Sequence, residues 1–138
     1  MRYLGLDLGT KTLGLSLSDP MGIIATSYKI LKHSEDYDSL IPLLKEEIEK
    51  NKVESIVLGL PKNMNNTIGE RGEICLNFKN KLEEEFKIPV YMQDERLTTK
   101  QAENLLISND TSRKKRKKVI DSLAATIILQ SYLDRKER

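Results

Sequence analysis

The sequence predicts an α/β fold in which a mixed five-stranded sheet, with its first three strands antiparallel, carries helices on both faces. Apolar residues alternate with polar ones over residues 3 to 18, which is the period of half-buried strands. Two later stretches show helical spacing, and residues 55–60 form a nearly continuous apolar run, as in a parallel strand buried on both sides. The predicted order is βββαβαβ, then a short helix and a final helix.

The first two strands are predicted over residues 3–8 and 12–18, joined by a tight turn. Leucine occupies every second position in both of them: Leu4, Leu6 and Leu8, then Leu13, Leu15 and Leu17. A third strand is predicted over residues 23–31, after the turn Pro20-Met21-Gly22. Together they predict an antiparallel meander.

Two helices are predicted around the buried strand at residues 55–60. Asp38 or Ser39 is expected to cap the first helix, with Pro42 in its first turn and an apolar stripe that includes Leu40 and Leu44. Residues 67–70, Thr-Ile-Gly-Glu, have the form of a capping box for the second. Its apolar residues are Ile74, Cys75, Phe78, Leu82 and Phe86. We expect Cys75 to be a buried hydrophobe and not a nucleophile.

The last third of the chain predicts a fifth strand, a short helix and a final helix. Residues 90–93 follow the helix-breaking Ile88-Pro89 and form the strand. A second capping-box pattern, Thr98 to Gln101, opens a short helix through Leu106. The final helix is predicted over residues 119–133. The basic residues before it are expected to form a loop or the first turn of that helix.

Composition limits the possible chemistry. The 138 residues fit one domain, residues 1–138, with 38% apolar and 32% charged residues. A single cysteine and a single histidine exclude an intrachain disulfide and a cysteine-based zinc site, and argue against Ser-His-Asp chemistry. Any metal would therefore be held by oxygen ligands, which suits Mg²⁺ or Mn²⁺. Without a signal-peptide pattern or a long apolar run, we expect a cytoplasmic protein with no membrane partner.

The net charge of +2 hides one concentrated basic segment, residues 113–118. Without it, acidic residues outnumber basic ones by four. Such a run can pair with nucleic-acid phosphates, although many charge runs are only solvated surface. The segment consists of Arg113, Lys114, Lys115, Arg116, Lys117 and Lys118.

Three acids stand where they could act together. Asp7 lies inside the first strand, on the face that also carries Gly5; Glu95 follows the fifth strand; Asp121 begins the final helix. Converging carboxylates repel each other unless cations neutralise them, and two divalent ions about 4 Å apart are a common solution in phosphodiester hydrolysis. Each acid also has a structural alternative. Asp7 could favour a turn, and Glu95 could pair with a neighbouring cation. Asp121 could stabilise the start of its helix by interacting with the helix dipole.

Four motifs together resemble the RuvX/YqgF family of the ribonuclease H-like superfamily. They are Leu4 to Gly14, Gly59-Leu60-Pro61-Lys62-Asn63-Met64, Asp94-Glu95-Arg96-Leu97-Thr98-Thr99, and Asp121-Ser122-Leu123-Ala124-Ala125. They occur in the family's order and span nearly the whole chain. One departure is Asn65-Asn66-Thr67, because the family usually has glycine at the second of these positions. Asparagine tolerates left-handed backbone angles better than most residues.

The resemblance implies a ribonuclease H-like domain with divalent-metal nuclease chemistry. It implies a bacterial cytoplasmic role in processing the 5′ end of the 16S rRNA precursor, with the ribosome or a processing factor as a further expected partner. The implied catalytic and metal-binding residues are Asp7, Glu95 and Asp121. The predicted nucleic-acid contacts are Lys11, Arg96 and the basic segment.

Three other functions are compatible with parts of the pattern. A Holliday junction resolvase would use the same acids on branched DNA, but would generally need a two-fold dimer. A non-catalytic RNA-binding module would use the basic segment and tolerate loss of the acids. A nucleotide-dependent kinase or actin-like ATPase begins with a similar hairpin but needs two such domains, for which 138 residues do not suffice.

Overall fold

The structure, a computed structural model, describes residues 1–61, 68–94 and 113–136, with the backbone alone for residues 113–122. Its five strands form one sheet in the order β3-β2-β1-β4-β5. They are β1 (Tyr3–Leu8), β2 (Thr12–Ser18), β3 (Ala25–Lys32), β4 (Ser55–Leu60) and β5 (Val90–Asp94). The first three pair antiparallel, and β4 runs parallel to both β1 and β5. The predicted mixed sheet with an antiparallel start is confirmed.

Helices cover both faces of the sheet, as predicted. Helices α1 (Leu40–Asn51) and α2 (Glu70–Phe86) pack against the leucine face, where Leu4, Leu6 and Phe78 are almost fully buried. Helix α3 (Arg113–Lys136) packs on the opposite face against Tyr3 and Val57. Strand alternation therefore directs the odd-numbered residues of β1 toward α3.

Helix α3 lies very close to β1 at Gly5. A Cβ atom at Gly5 would stand 2.7 Å from the Leu129 Cβ and 3.1 Å from the Ala125 carbonyl oxygen, and would collide with the Ser16 Oγ. That hydroxyl donates a 2.8 Å hydrogen bond to the Ala125 carbonyl, which ties β2 to the helix. Only glycine permits this approach.

Strand β3 begins at Ala25 and ends at Lys32, instead of spanning 23–31 as predicted. The Asp19 carboxylate accepts hydrogen bonds from the backbone N–H groups of Met21, Ile23 and Ile24. These bonds lower the pKa of Asp19, the bond from Ile24 contributing most. Because the N–H groups of Ile23 and Ile24 are engaged with Asp19, the chain continues the turn before it joins the sheet.

Helix α1 begins at Leu40 with Ser39 at its N-cap position, as predicted, whereas the start of α2 differs from the prediction. A short 3₁₀ turn over Tyr37–Ser39 precedes α1, and the Ser39 hydroxyl makes no cap hydrogen bond but donates to the Asp36 carbonyl. Asp38 pairs with Lys81 of α2. Helix α2 begins at Glu70 with Gly69 at its N-cap, so Glu70 is not the third residue that a capping box requires. Thr67, the other predicted member, lies outside the described residues.

Helix α3 begins at Arg113, six residues before its predicted start at 119, so the basic segment has a helical backbone. Of the two predicted alternatives, a loop or the first turn of this helix, the helical one is observed, because lysine and arginine are good helix formers. Strand β5 extends one residue further than predicted, to Asp94. The short helix predicted from Thr98 to Leu106 falls outside the described residues.

Among the described residues, the helices are too short or too polar to cross a bilayer.

Candidate nuclease site

Asp7 lies on the α3 face of the sheet, in a row of residues with almost no side chains. Its partner on β2 is Gly14. Continuing the β1–β4 register beyond Leu6 and Leu58 brings Gly59 alongside Asp7 on its other side, and Gly59 is paired with Gln93 of β5. The two glycines leave the half-buried carboxylate with backbone on either side. The row therefore forms a cradle with space for a ligand above the sheet.

Gln93 lies next to Gly59 at the end of this row, and its side-chain amide supplies a second oxygen. Its Oε1 is buried and has no hydrogen-bond partner among the described residues. A buried amide oxygen without a partner is energetically costly, and a bound cation or donor would relieve that cost. Sequence reasoning missed Gln93, although strand alternation gave a signal, since Gln93 stands two residues before Glu95 and so shares its side of the strand.

Two side chains hold the turn that follows Asp7. The Arg71 guanidinium of α2 donates to the Leu8 carbonyl oxygen at 2.9 Å. The His33 Nε2 lies 2.9 Å from the Gly9 carbonyl oxygen, while His33 Nδ1 accepts from the Glu35 backbone N–H. These partners assign the proton of a neutral ring to Nε2. Both side chains fix the backbone beside Asp7, and the sequence had not singled out either for this purpose.

The structure describes only some of the site residues predicted from the sequence. Lys11 is exposed at the β1–β2 turn, two residues beyond Gly9. Glu95 and Arg96 lie outside the described residues. Asp121 belongs to the helical backbone of α3, but its side chain, like those of the basic segment, is outside what the structure describes. Within the described residues, the structure brings no three acidic, histidine or cysteine side chains together as a metal cluster. The triad therefore stays a prediction.

The sheet order and its helices define the fold, and solved structures share it. RuvC of T. thermophilus in complex with a Holliday junction substrate aligns with a TM-score of 0.61 and 17% identity, covering 99% of this chain and 96% of that one. The fowlpox virus resolvase in complex with Holliday junction DNA aligns with a TM-score of 0.58 and 13% identity over the full length of both chains. The protein thus has the ribonuclease H-like fold.

Sequence comparison is more specific. Residues 1–135 match the family model described as "RuvX: Holliday junction resolvase", and the chain belongs to that family. A relative from Bacillus subtilis (strain 168) is 53% identical over 135 residues, covering 97% of this chain and 98% of the relative. A relative from Bacillus cereus (strain B4264) is 52% identical over 137 residues, covering 99% of this chain and 100% of the relative. Both carry the name "Putative pre-16S rRNA nuclease". The family resemblance predicted from the motifs is confirmed.

Proposed function

We propose that this chain is a single-domain, divalent-metal-dependent endonuclease that processes the 5′ end of pre-16S rRNA in the cytoplasm. The observation that carries the proposal is the Asp7 carboxylate in its glycine row, in a chain more than half identical to relatives that bear the pre-16S rRNA nuclease name. A carboxylate inside a strand is unusual, since strands disfavour aspartate.

The packing of α3 supports a position of Asp121 close to Asp7. The Tyr3 ring lies 5.9 Å from the Tyr132 ring, and Gly5 faces Leu129 and Ala125. The helix therefore runs antiparallel to β1. Two residues advance a strand by about 6.7 Å, and four residues advance a helix by about 6 Å. Asp7 lies two residues beyond Gly5 on β1, and Asp121 lies four residues before Ala125 on α3. Asp7 is therefore expected opposite the helical turn that begins at Asp121.

The register of β5 supports Glu95 as the third acid. Tyr91 contacts Tyr132 of α3, so alternation puts Gln93 on the same face as Asp7. If the strand direction continues, Glu95 projects from that face one step beyond Gln93. The carboxyl ends of β1, β4 and β5 share one edge of the sheet, because these strands are parallel.

The described donors fit a hard divalent cation. The Asp7 carboxylate and the buried Gln93 amide oxygen are hard oxygen donors, and the flanking glycines leave room for a hydrated ion. Asp7, Glu95 and Asp121 would hold Mg²⁺ or Mn²⁺, two ions in our proposal. Bound there, such ions supply an activated water and stabilise the leaving oxygen of a phosphodiester. Arg71 and His33 keep the turn after Asp7 in place.

Cationic residues around the site would bind the substrate backbone. Lys11 is exposed on the turn after Asp7. The basic segment lies on the helix that carries Asp121 and ends three positions before that acid, and Arg96 directly follows Glu95 in the chain. Their positive charge would bind phosphates and not read bases, since the basic segment contains no aromatic residue.

A second candidate is cleavage of branched DNA, favoured by the family description and by the fold shared with two junction resolvases. Resolution of a junction needs two symmetric cuts, so the mass of the protein in solution distinguishes a dimeric resolvase from a monomeric RNA nuclease. A non-catalytic RNA-binding module remains the third possibility, and it predicts binding that does not depend on Asp7.

The deciding experiment incubates a 16S precursor transcript and a four-way DNA junction side by side with wild type and Asp7→Asn in the presence of Mn²⁺. Asn keeps the shape of the side chain and removes its charge. We expect metal-dependent cleavage of the RNA by the wild type and none by Asp7→Asn, with both equally folded by circular dichroism. Asp36→Asn is the matched control, because Asp36 is exposed and makes no side-chain cap bond. Metal-dependent cleavage by pure Asp7→Asn protein would refute the proposed role of this carboxylate.

A further inference from the structure

Three tyrosines from separate elements meet on the α3 face of the sheet. The rings of Tyr91 in β5 and Tyr132 in α3 are stacked, with centroids 5.3 Å apart and planes at 20°. Tyr132 in turn contacts Tyr3 of β1 at 5.9 Å. Tyr3 is 7% exposed and belongs to the core, whereas Tyr91 is 40% exposed. Core packing therefore explains Tyr3 but not Tyr91.

Two cations lie over the rings of this cluster. The Arg135 guanidinium is 5.9 Å from the centre of the Tyr132 ring, and the Lys136 ammonium is 5.3 Å from that of Tyr3. Both residues are exposed at the end of α3. Asp134, which directly precedes them, accepts a 2.9 Å hydrogen bond from Gln130 one turn earlier. Stacked aromatic rings beside cations are the elements with which proteins hold single-stranded nucleic acids.

The cluster lies within reach of the proposed cleavage site. Tyr91 is in register with Val57, which is in register with Gly5, two residues before Asp7. Two inter-strand spacings and one side-chain repeat give roughly 12 Å between the Tyr91 and Asp7 Cα atoms. All of these residues share the α3 face, and β5 is the last strand in the sheet order. One bound strand could therefore contact both places.

We infer that Tyr91, stacked on Tyr132 and flanked by Arg135 and Lys136, forms a base-stacking subsite for single-stranded nucleic acid next to the cleavage site. Tyr132 stacks on the Tyr91 ring, which is still 40% exposed and so accessible to a base. Arg135 and Lys136 bind the adjoining phosphates. The inference rests on the proposed nuclease function and adds a second contact region that holds the strand beyond the acids.

The test measures binding apart from cleavage. Fluorescein-labelled oligoadenylate is titrated with protein in buffer containing EDTA, and its anisotropy gives the Kd. Tyr91→Phe keeps the ring and should bind like wild type. Tyr91→Leu keeps apolar contact with Tyr132 but cannot stack on a base, and its Kd should rise about 10-fold. Equal Kd values for wild type, Tyr91→Phe and Tyr91→Leu would overturn the subsite.

A second pair of variants tests the cations and leaves the three tyrosines unchanged. Arg135→Ala with Lys136→Ala should weaken binding and flatten its salt dependence. The matched control is Lys45→Ala with Lys50→Ala, two exposed cations of α1 on the other face of the sheet, and it should bind like wild type. An equal loss in both double variants would mean diffuse charge attraction and would overturn the subsite.

Oligodeoxyadenylate of the same length separates the two possible strands. Tyr91-dependent binding of either the RNA or the DNA supports the stacking site, and independence from Tyr91 with both overturns it. The proposed nuclease site is tested separately. If Asp7→Asn cleaves like wild type while Tyr91→Leu binds weakly, the proposed catalytic role of the acids is wrong and the stacking subsite is supported.

Discussion

Substituting Gly5 by alanine should displace α3 and damage the site without contacting any acid. The added Cβ would stand 2.7 Å from the Leu129 Cβ, whereas ordinary contact begins at 3.4 Å, so the helix must retreat by about 0.7 Å. The collision with Ser16 also breaks the hydrogen bond from this hydroxyl to Ala125. Overpacking costs about 1–3 kcal/mol and the lost bond about 1 kcal/mol. We expect a fall in Tm on the order of 10 °C.

In the proposed site, the retreat of α3 would also move Asp121 away from Asp7. A displacement of 1 Å in a catalytic constellation can cost about 100-fold in rate, so the cleavage rate of Gly5→Ala should fall about 10- to 100-fold. The assay measures initial rates with saturating Mn²⁺, well below the Tm of the variant. Leu44→Ala is the control, because it empties the core on the opposite face at a cost of about 3 kcal/mol without moving α3. A folded, destabilised Gly5→Ala protein that cleaves at the wild-type rate would refute this reasoning.

Three further predictions concern separate parts of the molecule. Replacing the three basic residues at 114–116 by alanine should weaken RNA binding for all sequences alike and reduce the slope of log affinity against log salt concentration by about 2, while turnover at saturating substrate changes little. An unchanged slope in salt titrations would show that the segment is only solvated surface. Arg71→Ala frees the Leu8 carbonyl and should raise the Mn²⁺ concentration needed for half-maximal cleavage by about 10-fold, whereas Lys79→Ala on the same helix should not. Burial alone would raise the pKa of Glu47, but hydrogen bonds from Lys29 and Tyr28 outweigh it and hold that pKa below its usual 4.5. The free energy of unfolding from urea titrations should therefore decline as the pH falls below about 4.5, and the decline should be smaller in Glu47→Gln than in wild type. Equal pH profiles of the two proteins would contradict the assignment.

The sheet was predictable because its signal is local. Alternating leucines identified β1 and β2 at their observed bounds, and the unbroken apolar run identified β4 as a buried parallel strand. The same alternation assigned Asp7 to the face opposite the leucines. Side-chain period and burial are properties of a few consecutive residues, so no knowledge of the pairing was needed.

The surroundings of Asp7 depend on pairing that the local sequence does not encode. Gly14 and Gly59 flank Asp7 only because β1 lies between β2 and β4. Arg71 reaches the Leu8 carbonyl across 63 positions of sequence. A guanidinium that serves a distant backbone oxygen has no sequence pattern of its own.

The start of β3 was wrong for a different reason. The Asp19 carboxylate had a choice of backbone partners, and its bonds to the N–H groups of Ile23 and Ile24 determine where the strand begins. Several competing hydrogen bonds have similar free energies, so sequence patterns predict such ends poorly. The basic segment was predicted as a loop or as the first turn of the final helix, and its helical backbone agrees with the second alternative.

The most direct test of the proposed site is the anomalous scattering of Mn²⁺ in a crystal of the wild-type protein. We predict a peak on the α3 face of the sheet, with carboxylate oxygens of Asp7, Glu95 and Asp121 within about 2.0–2.6 Å of the metal or of its bound waters. Asp7→Asn crystals soaked in the same way should lose the peak. A metal bound elsewhere, or an Asp121 carboxylate turned to bulk solvent far from Asp7, would contradict the proposed site.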